Sequence, residues 1–391
     1  NLAEKISKEA AISFTGMGLG QLFRYLFTTL LARWAGVELL GIYSLANAVT
    51  RISEVVGKLG LDQGILRKVS REENLENKQT AILSALKMGS ISGLIFMLVQ
   101  IAIAGYLAEN LFNQSSLLTK VIVIHALSLP FYIIIHISAF STQAFKLLKY
   151  KIVVTEIQNP LILLLAMLVC YFFYSAESAI IIPVVISAVL GCLTISLFLK
   201  KISGVNLLSV QKGVLDRDLL NYSLPIMFIS ILGTILHWTD VIMLGYFTDP
   251  TTVGLYHPAA RTAGIIRIVL LSFAGIYGPL MAEMFVKKQT SEMNHLYKLV
   301  IRWITTFSLP FAILILIYPR KVMLIFGGDF LNAYPILMVL AAAAFIQAVF
   351  GIGGSALNMA GFPKINLFNT FIACGLNIGL NFFLIPTMGG L

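Results

Sequence analysis

Charge is what this sequence has least of. Only 12% of its 391 residues are Asp, Glu, Lys or Arg, against about 25% in soluble globular domains. Hydrophobic residues make up 58% and mean hydropathy is +0.89. That balance excludes an ordinary soluble domain and predicts a polytopic membrane protein. Acids are scarcest, 18 against 28 Lys and Arg, for a net charge of +10. The cations are scattered among apolar helices rather than gathered into a basic patch. Membrane topology accounts for them, and no nucleic-acid partner is expected. Cysteine is nearly absent. Cys170, Cys192 and Cys374 each sit inside an apolar run, as small core or lipid-facing residues, and no metal-ligand spacing appears. The two longest polar loops, 62–80 and 200–218, carry no phosphate-binding P-loop pattern, so ATP hydrolysis is not expected. The charged start, residues 1–10, ahead of a long apolar span argues against a cleavable signal peptide.

What is present is a series of long apolar runs. Eleven predicted helices cover 10–34, 37–61, 81–107, 118–143, 157–174, 179–199, 219–247, 252–280, 298–318, 334–358 and 366–386. A tight turn at Trp34-Ala35-Gly36 joins the first two. A twelfth helix is expected after Pro386, but the chain ends at Leu391. Alternate loops, starting with the N-terminus, hold 17 of the 28 Lys and Arg, among them Arg67, Lys68, Arg71, Lys149, Lys151, Lys200 and Lys201. The opposite set holds four: Arg33, Lys120, Arg320 and Lys321. This imbalance puts the N-terminus in the cytoplasm of a cell (plasma) membrane protein.

Seven cations remain inside the spans. Lys58, Lys87 and Arg302 lie near cytoplasmic ends, where they can snorkel to the headgroups. Arg24, Arg51, Arg261 and Arg267 are deeper. An arginine near the bilayer centre costs about 2.5–3.5 kcal/mol on insertion scales, so it should face protein or a watery cavity. Gln21 and Thr28 share a helical face with Arg24. Ser44, Asn47, Arg51, Glu54 and Lys58 share one on the second helix. Arg51, Glu54 and Lys58 also sit at i,i+3 and i,i+4 spacing and can form a structural ion network instead. Arg261 and Arg267, six residues apart, face the same cavity only if Pro258 or Gly264 distorts their helix; Arg261 can pair with Asp240 instead. Asp240 with His237 is either a proton or cation site or a bond fixing helices seven and eight, and Glu54 is the other candidate for ion coupling. His125 and His136 read as packed, hydrogen-bonded histidines.

An internal repeat organises the chain. Gly41-Ile42-Tyr43-Ser44-Leu45-Ala46 matches Gly254-Leu255-Tyr256-His257-Pro258-Ala259 at a constant offset of 213 residues. Six helices per repeat imply two lobes in the same membrane orientation around a central cavity. The expected division is 1–200, a cytoplasmic linker at 201–218, and 219–391, and the expected fold class is an all-α, polytopic transmembrane bundle.

The outer turn and second helix, Gly36-Val37-Glu38-Leu39-Leu40-Gly41-Ile42-Tyr43-Ser44-Leu45-Ala46, are followed by Gly60-Leu61-Asp62-Gln63-Gly64-Ile65-Leu66-Arg67. The second half carries Thr239-Asp240-Val241-Ile242-Met243-Leu244-Gly245-Tyr246-Phe247, then Val253-Gly254-Leu255-Tyr256 and Ala259-Ala260-Arg261. In these stretches the chain resembles the oligosaccharide flippases (polysaccharide transporter family) of the multidrug/oligosaccharidyl-lipid/polysaccharide exporter superfamily. The resemblance implies alternating access and a polyprenyl-diphosphate-linked oligosaccharide substrate, moved from the cytoplasmic to the outer leaflet. It also implies membrane lipid, a polysaccharide polymerase and glycosyltransferases as partners. No cofactor is expected beyond coupling to a proton or sodium gradient. The lipid II flippase of the same superfamily uses arginines in its first, second and eighth helices, and Arg24, Arg51 and Arg267 (or Arg261) lie in the matching helices here. Arginine holds phosphate oxygens bidentately and stays charged when desolvated. Gln21, Asn47, Tyr43 and Tyr256 are the expected sugar contacts. A lipid II-type peptidoglycan precursor flippase and a multidrug cation antiporter are the alternatives. The antiporter calls for acidic or aromatic cavity residues, and here deep cations outnumber the deep acids Glu54 and Asp240. An intramembrane glycosyltransferase needs a catalytic carboxylate or a large outer loop, and the outer loops are short.

Overall fold

In the computed structural model, which describes residues 2–113, 116–359 and 362–388, the protein is all-helical, with no strand among the described residues. The side chains of Lys5, Lys8 and Lys212, three of the loop cations counted above, and residues 389–391, where a twelfth helix is expected to begin, lie outside what is described.

The first helix, α1 (Leu2–Gly57), has 56 residues. At about 1.5 Å per residue it is more than twice as long as the roughly 30 Å hydrocarbon layer is thick. It is two crossings joined at Gly36, whose φ of 86° and ψ of 176° interrupt the helix in a region that side chains with a Cβ rarely adopt. The sequence placed its turn there. After it come α2 (Leu61–Arg71) and α3 (Leu75–Tyr106), then α4 (Ser116–Ala126) and α5 (Leu129–Ala144). The single predicted helix over 118–143 is therefore two, parted just before Pro130, which opens α5, where a missing N–H costs nothing.

The predicted start at 157 also moves. A continuous helical stretch begins with α6 (Leu148–Ile152), passes through a π-helical turn (Val153–Gln158) and continues as α7 (Asn159–Phe173). α8 (Ala176–Ser203) closes the first half. A 3-10 turn (Leu207–Lys212) then leads to α9 (Arg217–Phe247). α10 (Pro250–Val286), α11 (Thr290–Ile317) and α12 (Pro319–Leu324) follow. The predicted helix at 334–358 is split into α13 (Tyr334–Phe350) and α14 (Ile352–Met359), before α15 (Pro363–Met388). Nine described stretches are long and apolar enough to cross a membrane, the first being Phe14–Arg71 with its two crossings. With the 37-residue α10 these account for the eleven predicted spans.

Contacts gather the chain into two compact units, Asn1–Pro250 and Thr251–Leu391. In the first, α9 lies against α1 and α2, and α3 and α8 lie against α5. Under α2 a core of Leu61, Ile65, Val69, Ile82, Leu86, Ile137 and Leu219 is closed to solvent. In the second, α11 packs on α13.

Candidate functional site

Arg24 and Arg51 sit on the two arms of α1. They are 12 and 15 residues from Gly36, about 18 and 22 Å along their arms, and so at similar depth. Phe27 of one arm meets Tyr43 of the other at 5.1 Å between ring centroids, which holds the arms together just above this level.

Arg24 is not alone. Its Nη2 donates to Glu156 Oε2 at 3.0 Å and to the Thr155 carbonyl at 3.3 Å. No acid lies near Arg24 on its own helix, but the π-helical turn brings one from the stretch ahead of α7. Glu156 is the residue that sequence reasoning missed. It fell one residue outside the predicted helix, in a segment whose Lys149 and Lys151 read as a cytoplasmic loop. Both side chains of the pair remain about a quarter exposed, so Arg24 is anchored without being sealed.

Arg51 heads a charged ladder that starts on the second arm and runs past its end into α2. Its Nη1 donates to Glu54 Oε2 at 2.7 Å. Glu54 Oε1 lies 3.0 Å from His136 Nε2 and 3.8 Å from Lys58 Nζ, and Lys58 reaches on to Asp62 Oδ2 at 3.3 Å. The ion network weighed from the spacing is therefore present, extended by Asp62 and by His136 of α5. The Glu54 side chain is 4% exposed and that of Arg51 37%. Glu54 is thus a buried anchor shared by three cationic or protonatable groups, and Arg51 is the open end of the ladder. The Arg51 guanidinium also lies 4.9 Å over the Tyr132 ring. Its Nη2 and Nε have no hydrogen-bond partner among the described residues.

The other first-unit candidates divide by burial. Gln21 is exposed and Asn47 half-buried. Tyr43 is buried, its ring packed against Phe27 and His125, so a sugar contact there requires the ring to move. His125 is closed off, with Nε2 2.9 Å from the Ile180 carbonyl, a packed histidine as the sequence predicts. His237 is exposed with its ring against Trp238, and Asp240 is half-buried. Lys58 and Lys87 correct the snorkelling expectation. Lys58 belongs to the ladder, while Lys87 donates to the carbonyls of Gln211 and Gly213 at 3.0 and 2.8 Å and so pins the linker to α3.

In the second unit, α10 runs unbroken through Pro258 and Gly264. Arg261 and Arg267 therefore project about 120° apart. Arg267 Nη1 donates to Gln347 Oε1 of α13 at 3.3 Å. Tyr256 is buried like Tyr43, its match in the repeat.

The model of the polysaccharide biosynthesis protein family matches residues 6–285, and the MatE family model matches 225–383. An uncharacterized membrane protein of Methanocaldococcus jannaschii is 23% identical over 351 residues, which cover 84% of this chain and 68% of the relative. The "probable low-salt glycan biosynthesis flippase Agl15" of Haloferax volcanii is 28% identical over 174 residues, 44% of this chain and 37% of that protein. Among solved structures, a multidrug resistance MATE family transporter of the MOP superfamily superposes with a TM-score of 0.81 at 12% identity, covering 97% of this chain and 92% of its own. The lipid II flippase MurJ superposes with a TM-score of 0.77 at 13% identity, covering 98% and 82%. At such identities the likeness is one of fold.

Proposed function

The chain belongs to the polysaccharide biosynthesis protein family, and from that premise we propose that it is a flippase for a polyprenyl-diphosphate-linked oligosaccharide, such as an O-antigen, capsule or exopolysaccharide unit. It is a multi-pass membrane protein with the fold of the MOP superfamily. In this reading it carries the headgroup from the cytoplasmic to the outer leaflet by alternating access, and no chemical step is involved.

Arg51 is the observation that carries the reading. Its guanidinium is held by a buried carboxylate at one edge and keeps donors free at the other. A diphosphate is the hardest part of the substrate to take through hydrocarbon, and free arginine donors replace its water. Arg24, tethered through one nitrogen, is the companion cation in the same unit, and Arg267 is the candidate cation of the second unit. Dispersed cations favour release over trapping. Coupling to a proton or sodium gradient belongs to the same proposal. Glu54, held by three partners, and Asp240 with His237 are the coupling candidates. A polymerase and glycosyltransferases are the partners that this role calls for.

The test is reconstitution into vesicles with a panel: polyprenyl-diphosphate glycans, lipid II and a cationic dye. Leaflet transfer of the glycan lipids, lost in Arg51→Ala, is the expected result. Transfer of lipid II alone would reassign the substrate to peptidoglycan precursor. Efflux of the dye alone would sink the flippase reading.

A further inference from the structure

A cavity of about 770 Å3 opens between α2 and the first half of α9, and none of its lining residues belongs to the site above. One wall, from α2, carries Arg67, Ser70 and Arg71. The facing wall, from α9, carries Tyr222, Ile226 and Ile229. Arg67 and Arg71 are four residues apart and share a helical face, where like charges repel. Both are exposed, and neither makes an ion pair among the described residues.

Three of the nearby acids are engaged elsewhere. Asp62 takes Lys58 and Asp216 takes Lys68. Glu72 accepts the backbone N–H groups of Glu73 and Asn74. The Arg67 guanidinium lies 3.9 Å over the Tyr222 ring. Stacking occupies the face of the fork and leaves its in-plane N–H donors free. One stacked fork with a second exposed arginine a turn away, beside the exposed Ile229, fits an amphiphile with a phosphate-bearing head and an alkyl tail. By the charge imbalance of the loops, this end of the spans faces the cytoplasm.

We propose that this cavity is a loading site for the headgroup of a lipid-linked diphosphate, occupied before the headgroup reaches the deeper arginines. The proposal rests on the flippase reading and adds a second anion subsite to it. Anionic bilayer lipid shares the same phosphate-and-tail chemistry, so the test separates the two sources. Binding to the full chain in detergent is measured with farnesyl diphosphate, inorganic diphosphate and phosphatidylglycerol as probes. The protein is compared with an Arg67→Gln/Arg71→Gln variant, whose changes lie on an exposed face, and with Tyr222→Leu, which removes the stacking without altering charge.

Farnesyl diphosphate should bind more tightly than inorganic diphosphate. Its affinity should fall at least tenfold in the double variant and by a smaller factor in Tyr222→Leu. Unchanged affinity in the double variant would overturn the site. Displacement by phosphatidylglycerol at equal concentration would make it a bilayer-lipid anchor and overturn the loading role. In vesicles, the double variant should need more glycan lipid for half-maximal transfer at a retained maximal rate. An unchanged concentration dependence overturns loading and leaves the flippase reading standing. A native protein that binds farnesyl diphosphate but transfers no glycan lipid sinks the flippase reading and the loading role with it.

Discussion

Two arginines at similar depth are held in different ways, and the difference can be tested one residue at a time. Arg24 is tethered through one nitrogen to a half-open carboxylate, Glu156. If the pair were only a brace, exchanging the charges (Arg24→Glu with Glu156→Arg) would restore what either single change removes. If Arg24 contacts the diphosphate, the exchange puts a carboxylate where the phosphate must pass. We expect Arg24→Ala to abolish glycan delivery with the protein still inserted, Glu156→Gln to retain transfer, and the exchange to remain inactive. Loss of this partly exposed pair should cost only about 1–2 kcal/mol of stability, so thermal unfolding should move little in either single variant. Recovery of transfer in the exchange variant would remove Arg24 from the substrate path. Arg51 allows a finer distinction. Arg51→Lys keeps the charge and can still reach Glu54, but loses the planar fork. Transfer at saturating substrate should fall well below that of the native protein, and full activity would mean that a point charge suffices.

At the scale of elements, α2 decides how the linker and α9 are seated. α2 meets α9 at Gly64, where an added Cβ would strike the Ser223 side chain and crowd Leu219. Gly64→Leu should therefore destabilise the protein by about 1–3 kcal/mol through overpacking, read as a lowered midpoint of thermal unfolding. An unchanged midpoint would mean that the two helices separate at no cost. The same seam holds a pH-dependent contact. Asp216 caps α9 by accepting the Leu219 N–H at 3.0 Å and pairs with Lys68. Burial pushes its carboxyl up, but the hydrogen bond and charge of Lys68 and the capping N–H outweigh burial and hold it below the ordinary carboxylate range. A depressed carboxyl contributes stability that is fully present above the unfolded pKa and is lost as pH falls through the lowered native value. Acid exposure below the ordinary carboxylate range should thus free the linker, seen as faster proteolysis at 204–216. Asp216→Asn keeps a good cap but loses the charge, and should remove that pH dependence.

This scale also shows what the sequence made legible and what it did not. Gly36 was readable as a turn because a positive φ calls for glycine between two apolar runs. The upper part of the ladder was readable because Arg51, Glu54 and Lys58 are separated by three and four residues in one predicted helix; Asp62 was not part of that reading, because it lies past the turn after Gly57, in α2. Glu156 was not readable, because pairing it with Arg24 depends on a π-helical turn and on the packing of α1 against the stretch before α7. Those contacts span more than 130 residues and leave no periodic mark. The break before Pro130 was missed for a related reason: Leu127 and Ser128 continue the apolar run that signals a single helix, and hydropathy does not register the lost hydrogen bond.

For the whole molecule, the repeat and the membrane orientation make the furthest-reaching claims. Several matched positions are buried alike within their own units, Gly41 and Gly254, Tyr43 and Tyr256, and Ala46 and Ala259, while Ile42 is buried and its match Leu255 is half-buried. The direction of transport then depends on which side bears the 17 loop cations. It can be read with a membrane-impermeant maleimide on intact cells. The three native cysteines are buried and should label slowly, giving a low background. Arg33→Cys and Arg320→Cys, in the cation-poor loops, should label from outside. Lys149→Cys and Lys201→Cys, in the cation-rich set, should label only after the membrane is opened. The reverse pattern would place Arg67 and Arg71 on the outer face. The cavity beside them would then lie where substrate leaves rather than where it loads, and both the direction of transfer and the order of the two anion sites would have to be inverted.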